Sequence, residues 1–104
     1  DLLATLKDRS TPTNDPADWA RTSDYPMEMM MHAQSASVEY RLNIDPTGRI
    51  TDCVVQDSTT PPEIGPHTCA LIRRRARFTP AHDKDGNPVA DFYISRVNWI
   101  IPGR

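Results

Sequence analysis

Between residues 37 and 44, Val38, Tyr40, Leu42 and Ile44 alternate with Ser37, Glu39, Arg41 and Asn43. That is the two-residue period of a strand with one face in a core. Asp45-Pro46-Thr47-Gly48 follows, with proline and glycine set for a reversal, so a hairpin is expected. The returning strand keeps Cys53 and Val55 on one face, with Cys53 pointing inward. Ile50 falls out of that phase, which predicts a bulge near the turn. A last strand is expected over about residues 91–101. On it Tyr93, Ser95, Val97, Trp99 and Ile101 share one face, and Phe92, Ile94, Arg96, Asn98 and Ile100 share the other.

Two segments carry the helical period instead. Ser23-Asp24-Tyr25-Pro26 offers a serine or aspartate cap and an early proline, so a helix should run to about His32 or Ala33. Met27, Met30 and Met31 recur at the i, i+3, i+4 spacing of a buried stripe. After a polar break at residues 57–60, Pro61 and Pro62 lead into a second helix, from about Glu63 or Pro66 to Ala76. Cys69, Ile72 and Ala76 form its inner stripe, with Leu71 at the flank. Arg73, Arg74, Arg75 and Arg77 crowd its last turn, where cations complement the helix dipole. Thr79-Pro80 ends it, and residues 82–88 read as a polar loop around Asp85-Gly86. The order helix, strand, strand, helix, strand indicates an α+β domain: a small antiparallel three-stranded sheet with two helices packed on one face.

The first residues fit neither pattern well. Residues 1–9 are helix-capable, with Leu2, Leu3 and Leu6 on one face, but nine residues are too few to hold a helix in water unaided. Residues 10–18 are rich in Thr, Pro, Asn and Asp. Residues 1–18 are therefore expected to be a linker or a short docking segment, and residues 19–104 the domain. The chain begins on Asp1 rather than methionine, as a piece cut from a longer protein would.

Composition narrows the classes of function. A net charge of −2, from 12 basic and 14 acidic residues, supplies no global field for nucleic acid. No apolar run approaches the roughly 20 residues of a membrane span. The two cysteines lie in different contexts, Cys53 on a strand and Cys69 on a helix, each facing the core. They read as a bridge pinning helix to sheet, which would place the chain in an oxidising compartment. The alternative is two buried free thiols acting as small core residues.

Candidate chemistry is sparse. The methionine run beside His32 raises a copper(I) site, because soft thioethers favour that ion, but its helical spacing equally serves packing. His32, His67 and His82 show no metal-ligand spacing, and no metal or cofactor is expected. Asp83 and Asp85 lie in a turn, and Ser58 near Asp57 has no histidine in local reach, so no enzyme is expected. Arg73 to Arg77 read as a solvated helix end whose stems cover core. Trp19 and Trp99 read as packing residues.

Specific motifs lie on these elements. Asp24-Tyr25-Pro26, then Val38-x-Tyr40-x-Leu42-x-Ile44-Asp45-x-x-Gly48-Arg49-Ile50, then Arg74-x-Ala76-Arg77-Phe78-x-Pro80-Ala81, resemble the C-terminal domain of TonB energy transducers. Asp52-Cys53 with Thr68-Cys69, and the closing Arg96-Val97-x-Trp99-x-Ile101-Pro102, look like a cysteine-containing alphaproteobacterial subgroup. The resemblance covers about residues 19–102, in order and spacing.

The resemblance implies a periplasmic domain joined through a proline-rich spacer to an inner-membrane helix, which a proton-driven complex energises; those regions lie outside this chain. It implies a partner, the TonB box peptide of outer-membrane receptors, bound by strand addition along the last strand. The docking residues carried over are Phe92, Tyr93, Ile94, Ser95, Arg96, Val97, Asn98, Trp99 and Ile100. The second contact region is the segment before Tyr25-Pro26, with Arg21, Thr22, Ser23 and Tyr25. Well-known members carry glutamine where Thr22 stands, and small residues where this chain has Met27 to Met31. The alternative within the resemblance is a structural or sensory envelope module without energy coupling. A homodimer by strand exchange through the same edge is compatible with either.

Overall fold

The computed structural model describes residues 6–31, 35–59 and 61–100. Its elements are β1 (Leu6–Asp8), α1 (Met27–Met31), β2 (Ala36–Ile44), β3 (Ile50–Ser58), α2 (Ile64–Arg75), β4 (Ala81–Asp83), β5 (Pro88–Val89) and β6 (Asp91–Trp99), with short 3-10 turns at Pro16–Asp18 and Thr22–Asp24. The strands form two antiparallel sheets, ordered β3-β2-β6 and β1-β4-β5. The chain is thus α+β as expected, with a second small sheet that the sequence reading lacked.

The alternation on β2 is fully realised. Val38, Tyr40, Leu42 and Ile44 are buried, and their neighbours are half-buried on the open face. The reversal after Ile44 is built by Asp45, whose Oδ1 accepts from the amides of Thr47 at 2.9 Å and Arg49 at 3.0 Å. Gly48 completes it at φ 87°, where a Cβ would stand 2.6 Å from the Phe78 carbonyl oxygen, so both conformation and space demand glycine. The bulge expected near Ile50 is present, as a register shift between Asn43 and Ile44. A second shift lies between Glu39 and Tyr40.

The core divides into two clusters along the covered face of the larger sheet. One joins Tyr40, Leu42 and Ile44 to Cys69, Ile72 and Ala76 of the α2 segment, closed by Trp19 and Phe78. The other joins Val38 and Trp99 to Tyr25, Met29, Ile64 and Leu71. Each large apolar side chain buried this way contributes roughly 1.5–3 kcal/mol before entropy is counted. Cys53 and Cys69 are bridged, with Cα atoms 5.7 Å apart, tying β3 to α2. Gly65 lets the same helix approach β3 closely: a Cβ there would lie 3.1 Å from a Val55 methyl.

Three expectations need correction. The methionine stripe is in a different phase: Met27 and Met31 are 76% and 77% exposed, whereas Met29 is 6% exposed, and the Met30 side chain lies outside the described residues. Helix α1 is five residues long, so one turn's orientation is set by the Tyr25 and Trp99 packing around Met29 rather than by periodicity. The loop expected at residues 82–88 is a hairpin of β4 and β5. Its turn is held by Asp83 Oδ1, which accepts from the amides of Asp85 and Asn87, each at 2.9 Å. The helix-capable start is instead a strand at β1, because pairing with β4 satisfies backbone groups that a short isolated helix cannot.

The segment after β1 is tied to the domain along its length. Pro12 bridges Phe78, the Thr13 amide donates to the Arg77 carbonyl at 2.7 Å, and Asn14 Nδ2 donates to the Arg75 carbonyl at 2.7 Å. Asn14 Oδ1 in turn accepts from Trp19 Nε1 at 3.0 Å. Residues 6–18 are thus hydrogen-bonded to the rest of the fold at several points. Residues 1–5, including Leu2 and Leu3, lie outside the described residues.

Candidate functional site

Backbone direction follows from the register. Ser37 and Asn43 present their carbonyls toward β3, where they accept from the Thr59 amide at 3.1 Å and the Thr51 hydroxyl at 3.2 Å. The even-numbered residues of β2 therefore point their N–H and C=O groups at β6. Their register partners, Asp91, Tyr93, Ser95, Val97 and Trp99, use their backbone groups inward. Phe92, Ile94, Arg96 and Asn98 are left to point theirs outward. The pairing of β6 with β2 runs through nine consecutive residues without a register break.

The outward groups are not equivalent. The Phe92 carbonyl accepts from Arg9 Nη2 at 3.1 Å, and the Phe92 amide donates to Asp91 Oδ1 at 2.7 Å. Among the described residues, nothing meets the outward backbone groups of Ile94, Arg96 and Asn98. Side chains on this strip are mixed. Ile94 is 49% exposed, and Arg96 spans the open face to Ser37 Oγ at 2.6 Å and Glu39 Oε2 at 3.3 Å. Phe92 lies under two guanidinium groups, Arg41 at 4.3 Å and Arg9 at 5.0 Å from its ring centre.

The far end of the strip meets the second expected contact region. Ala20, Arg21 and Tyr25 line a shallow notch together with Val97, Asn98, Trp99 and Ile100. Tyr25 stacks on Trp99 with ring centres 5.0 Å apart, and Trp99 Nε1 donates to the Thr68 hydroxyl at 3.0 Å. That hydroxyl donates in turn to the Ile64 carbonyl at 2.7 Å, so a buried threonine in α2 is fully engaged. The sequence stripe omitted Thr68 because it is polar; its burial depends on partners distant in sequence.

Asp24 fixes the approach to this notch. Both its carboxylate oxygens accept from Arg75, at 2.5 and 2.9 Å, and Oδ2 also accepts from the Arg21 amide at 2.8 Å. The Arg75 hydrogen bonds bring the Asp24 carboxyl down to about 2; burial opposes them and the Arg21 amide adds to them. His67 Nε2 bonds the Asp24 carbonyl at 2.8 Å, tying the turn to α2 a second time. At the opposite end of the strip, burial opposes the ionisation of Asp91. Hydrogen bonds from Arg9 and from the Ser10 and Phe92 amides outweigh it and hold the carboxyl below its usual range. These shifts lock charge states at neutral pH rather than poising a group for proton transfer.

The structure thus brings Arg21 and Tyr25 together with residues 97–100, while Ser23 is exposed and does not line the notch. The Thr22 side chain and Ile101 lie outside the described residues. Tyr93 and Val97 pack partly against the core, and Ser95 lies on the same covered face; these odd-numbered positions pair with β2 through their backbones and offer the free edge nothing directly. No group of three or more His, Cys, Asp or Glu among the described residues is placed to hold a metal ion. Arg9 and Asp91, which close one end of the strip, were absent from the sequence reading.

The family model for the Gram-negative bacterial TonB protein C-terminal matches residues 21–101. The chain belongs to that family. The match begins at Arg21, beside the notch, and runs past the end of β6, so the whole candidate edge falls inside the family's domain. A search of the curated proteins finds no match. At family level the domain is a non-enzymatic, transport-associated interaction module of the periplasm that works with outer-membrane receptors. The Cys53–Cys69 bridge is the chemistry an oxidising compartment permits.

Proposed function

We propose that this chain is the peptide-binding module of a TonB-type energy transducer, and that it takes the TonB box of an outer-membrane receptor as an added strand along β6. The observation that carries this reading is the regular β6 edge, with the outward backbone groups of Ile94, Arg96 and Asn98 available to an extended peptide. Backbone pairing of this kind demands little of the peptide's sequence, so one domain can serve several receptors. It also transmits a pull without bond-making chemistry. The notch formed by Arg21, Tyr25 and the end of β6 offers the peptide a side-chain contact beyond the ladder.

In this reading an inner-membrane helix and a spacer outside this chain carry load from a proton-driven complex. The load enters the folded unit near residues 6–18, which belong to that unit rather than to the spacer. The test is a titration of the labelled domain with synthetic peptides from the periplasmic N-termini of outer-membrane receptors, followed by amide NMR shifts. Shifts concentrated on residues 94–98 and on residues 20–25 are the expected result. Absence of binding at millimolar peptide would remove strand addition and leave a structural or sensory envelope role, with the same edge serving a second copy or another partner.

A further inference from the structure

The docking edge has a built end. Asp91 carries a buried carboxylate whose two oxygens work on opposite sides of the strand start. Oδ2 accepts from Arg9 Nε at 2.8 Å and from the Ser10 amide at 2.9 Å, which pins the N-terminal segment there. Oδ1 accepts from the Phe92 amide at 2.7 Å. The same Arg9 then reaches over the Phe92 ring and donates Nη2 to the Phe92 carbonyl. Both outward-pointing backbone groups of Phe92 are consumed by this pair, and the next outward position, Ile94, is untouched.

We propose that Arg9 and Asp91 form a stop that sets the register and length of any strand added to β6, confining the ladder to Ile94, Arg96 and Asn98. The proposal rests on strand addition being the binding mode. An incoming peptide that ran past Ile94 would find the Phe92 amide already donating to Asp91 and the Phe92 carbonyl already accepting from Arg9, whose side chain stands in its path. Arg9 and Asp91 are therefore positioning residues: they need not touch the peptide, yet they select which of its residues reaches the notch at Arg21 and Tyr25. The N-terminal segment that carries Arg9 is joined to the small sheet through β1, so the stop is held by the fold rather than by one ion pair.

The experiment compares the unmodified protein with an Arg9→Ala variant, using receptor N-terminal peptides in a short form and in a form lengthened at the end that approaches Phe92. In the unmodified protein, lengthening should leave affinity unchanged, and peptide-induced amide effects should stop at Ile94. In Arg9→Ala, the freed Phe92 carbonyl can accept from the longer peptide, and its affinity should rise about fivefold over the short form, one hydrogen bond's net worth. Arg9→Lys keeps the charge beside Asp91 but cannot bridge Asp91 and Phe92 with one rigid fork. It should show the same length dependence even if the alanine variant folds poorly.

A merely structural role for Arg9 would lower the melting temperature and leave the ratio of long to short affinities unchanged. That result overturns the stop while strand addition survives. Pairing that already reaches Phe92 in the unmodified protein overturns it as well. Binding of neither peptide form by any version removes strand addition itself, and the stop with it.

Discussion

The larger sheet has two edges, and they are built to opposite ends. Strand β3 departs from regular pairing twice within nine residues, at Glu39/Tyr40 and at Asn43/Ile44. Backbone groups along it are partly taken: the carbonyl of the bulged Thr51 accepts from Arg73 at 3.4 Å, and the outward Cys53 amide donates to Asp52 Oδ1 at 2.9 Å. Helix α2 lies against it, close at Gly65 and covalently joined through Cys53–Cys69. Bulges, acidic side chains and a covering helix are the devices by which an edge is kept from pairing with other chains. Strand β6 has the same length and none of these over residues 94–98. One edge is closed and the other left regular, which is what a domain needs if a partner strand must add at one place only.

The largest effect should come from removing the covalent tie on the closed edge. The bridge spans a sequence separation of 16, a loop whose closure is worth roughly 3 kcal/mol. For a chain of 104 residues that corresponds to a melting temperature lower by about 10–15 °C on reduction. Peptide affinity should hardly change, because β6 pairs with β2 and not with β3. Calorimetry with and without reductant, followed by peptide titration of the reduced protein below its melting point, reads both quantities. A reduced domain that stays folded but loses peptide binding would show that the two edges are coupled and would undo the comparison.

Proline exchanges sharpen the contrast at the next scale. Arg96→Pro removes an outward N–H and places a ring where an added strand must lie, while the inward ladder to β2 keeps its donors. A loss of affinity of about 30-fold is expected, roughly 2 kcal/mol. Ser58→Pro, opposite the even-numbered Val38, makes the corresponding change on the outward side of β3 and should leave affinity untouched. The discriminating quantity is the ratio of the two effects, measured with one peptide on both variants. Equal losses would mean that the prolines act through global stability rather than through the edge.

Much of this asymmetry was legible in the chain, and the illegible parts share a cause. The alternation of Val38, Tyr40, Leu42 and Ile44 declares a half-buried strand because each residue is its own evidence at period two. The displaced phase of Ile50 announced one of the two bulges for the same reason. Short elements carry no such redundancy. Three residues at Leu6–Asp8 and two at Pro88–Val89 are too few to show a period, and they exist as strands only because each pairs with Ala81–Asp83. The five residues of α1 fit a helical stripe in more than one phase; the spacing points Met27 and Met31 inward, whereas the fold buries Met29. Arg9 and Asp91 stand 82 positions apart, and no local pattern connects them. The backbone of β6 is readable from sequence; the groups that bound it are long-range and are not.

The smallest effect concerns the notch end of β6 and its dependence on acid. Asp24 titrates at about 2 in the folded domain, below its ordinary value near 4, chiefly because Arg75 donates to both its oxygens. A carboxyl depressed by folding stabilises the native state fully above its unfolded value, and that contribution is lost as pH falls through the folded one. The window is therefore from about pH 4 down to about pH 2. Arg75 is partly in water, so screening trims the gain, and a melting temperature lower by a few degrees is expected for Asp24→Asn at neutral pH. The variant should also lose less on acidification across that window than the unmodified domain does. Because the Asp24 carboxylate also accepts from the Arg21 amide, its loss should loosen the wall of the notch and weaken peptide binding about twofold, with the Ile94–Asn98 ladder intact. Melting curves at stepped pH, with salt held constant, read the first effect. An unchanged pH profile in Asp24→Asn would assign the acid sensitivity to Asp45, Asp83 and Asp91 instead, whose carboxyls are also held low.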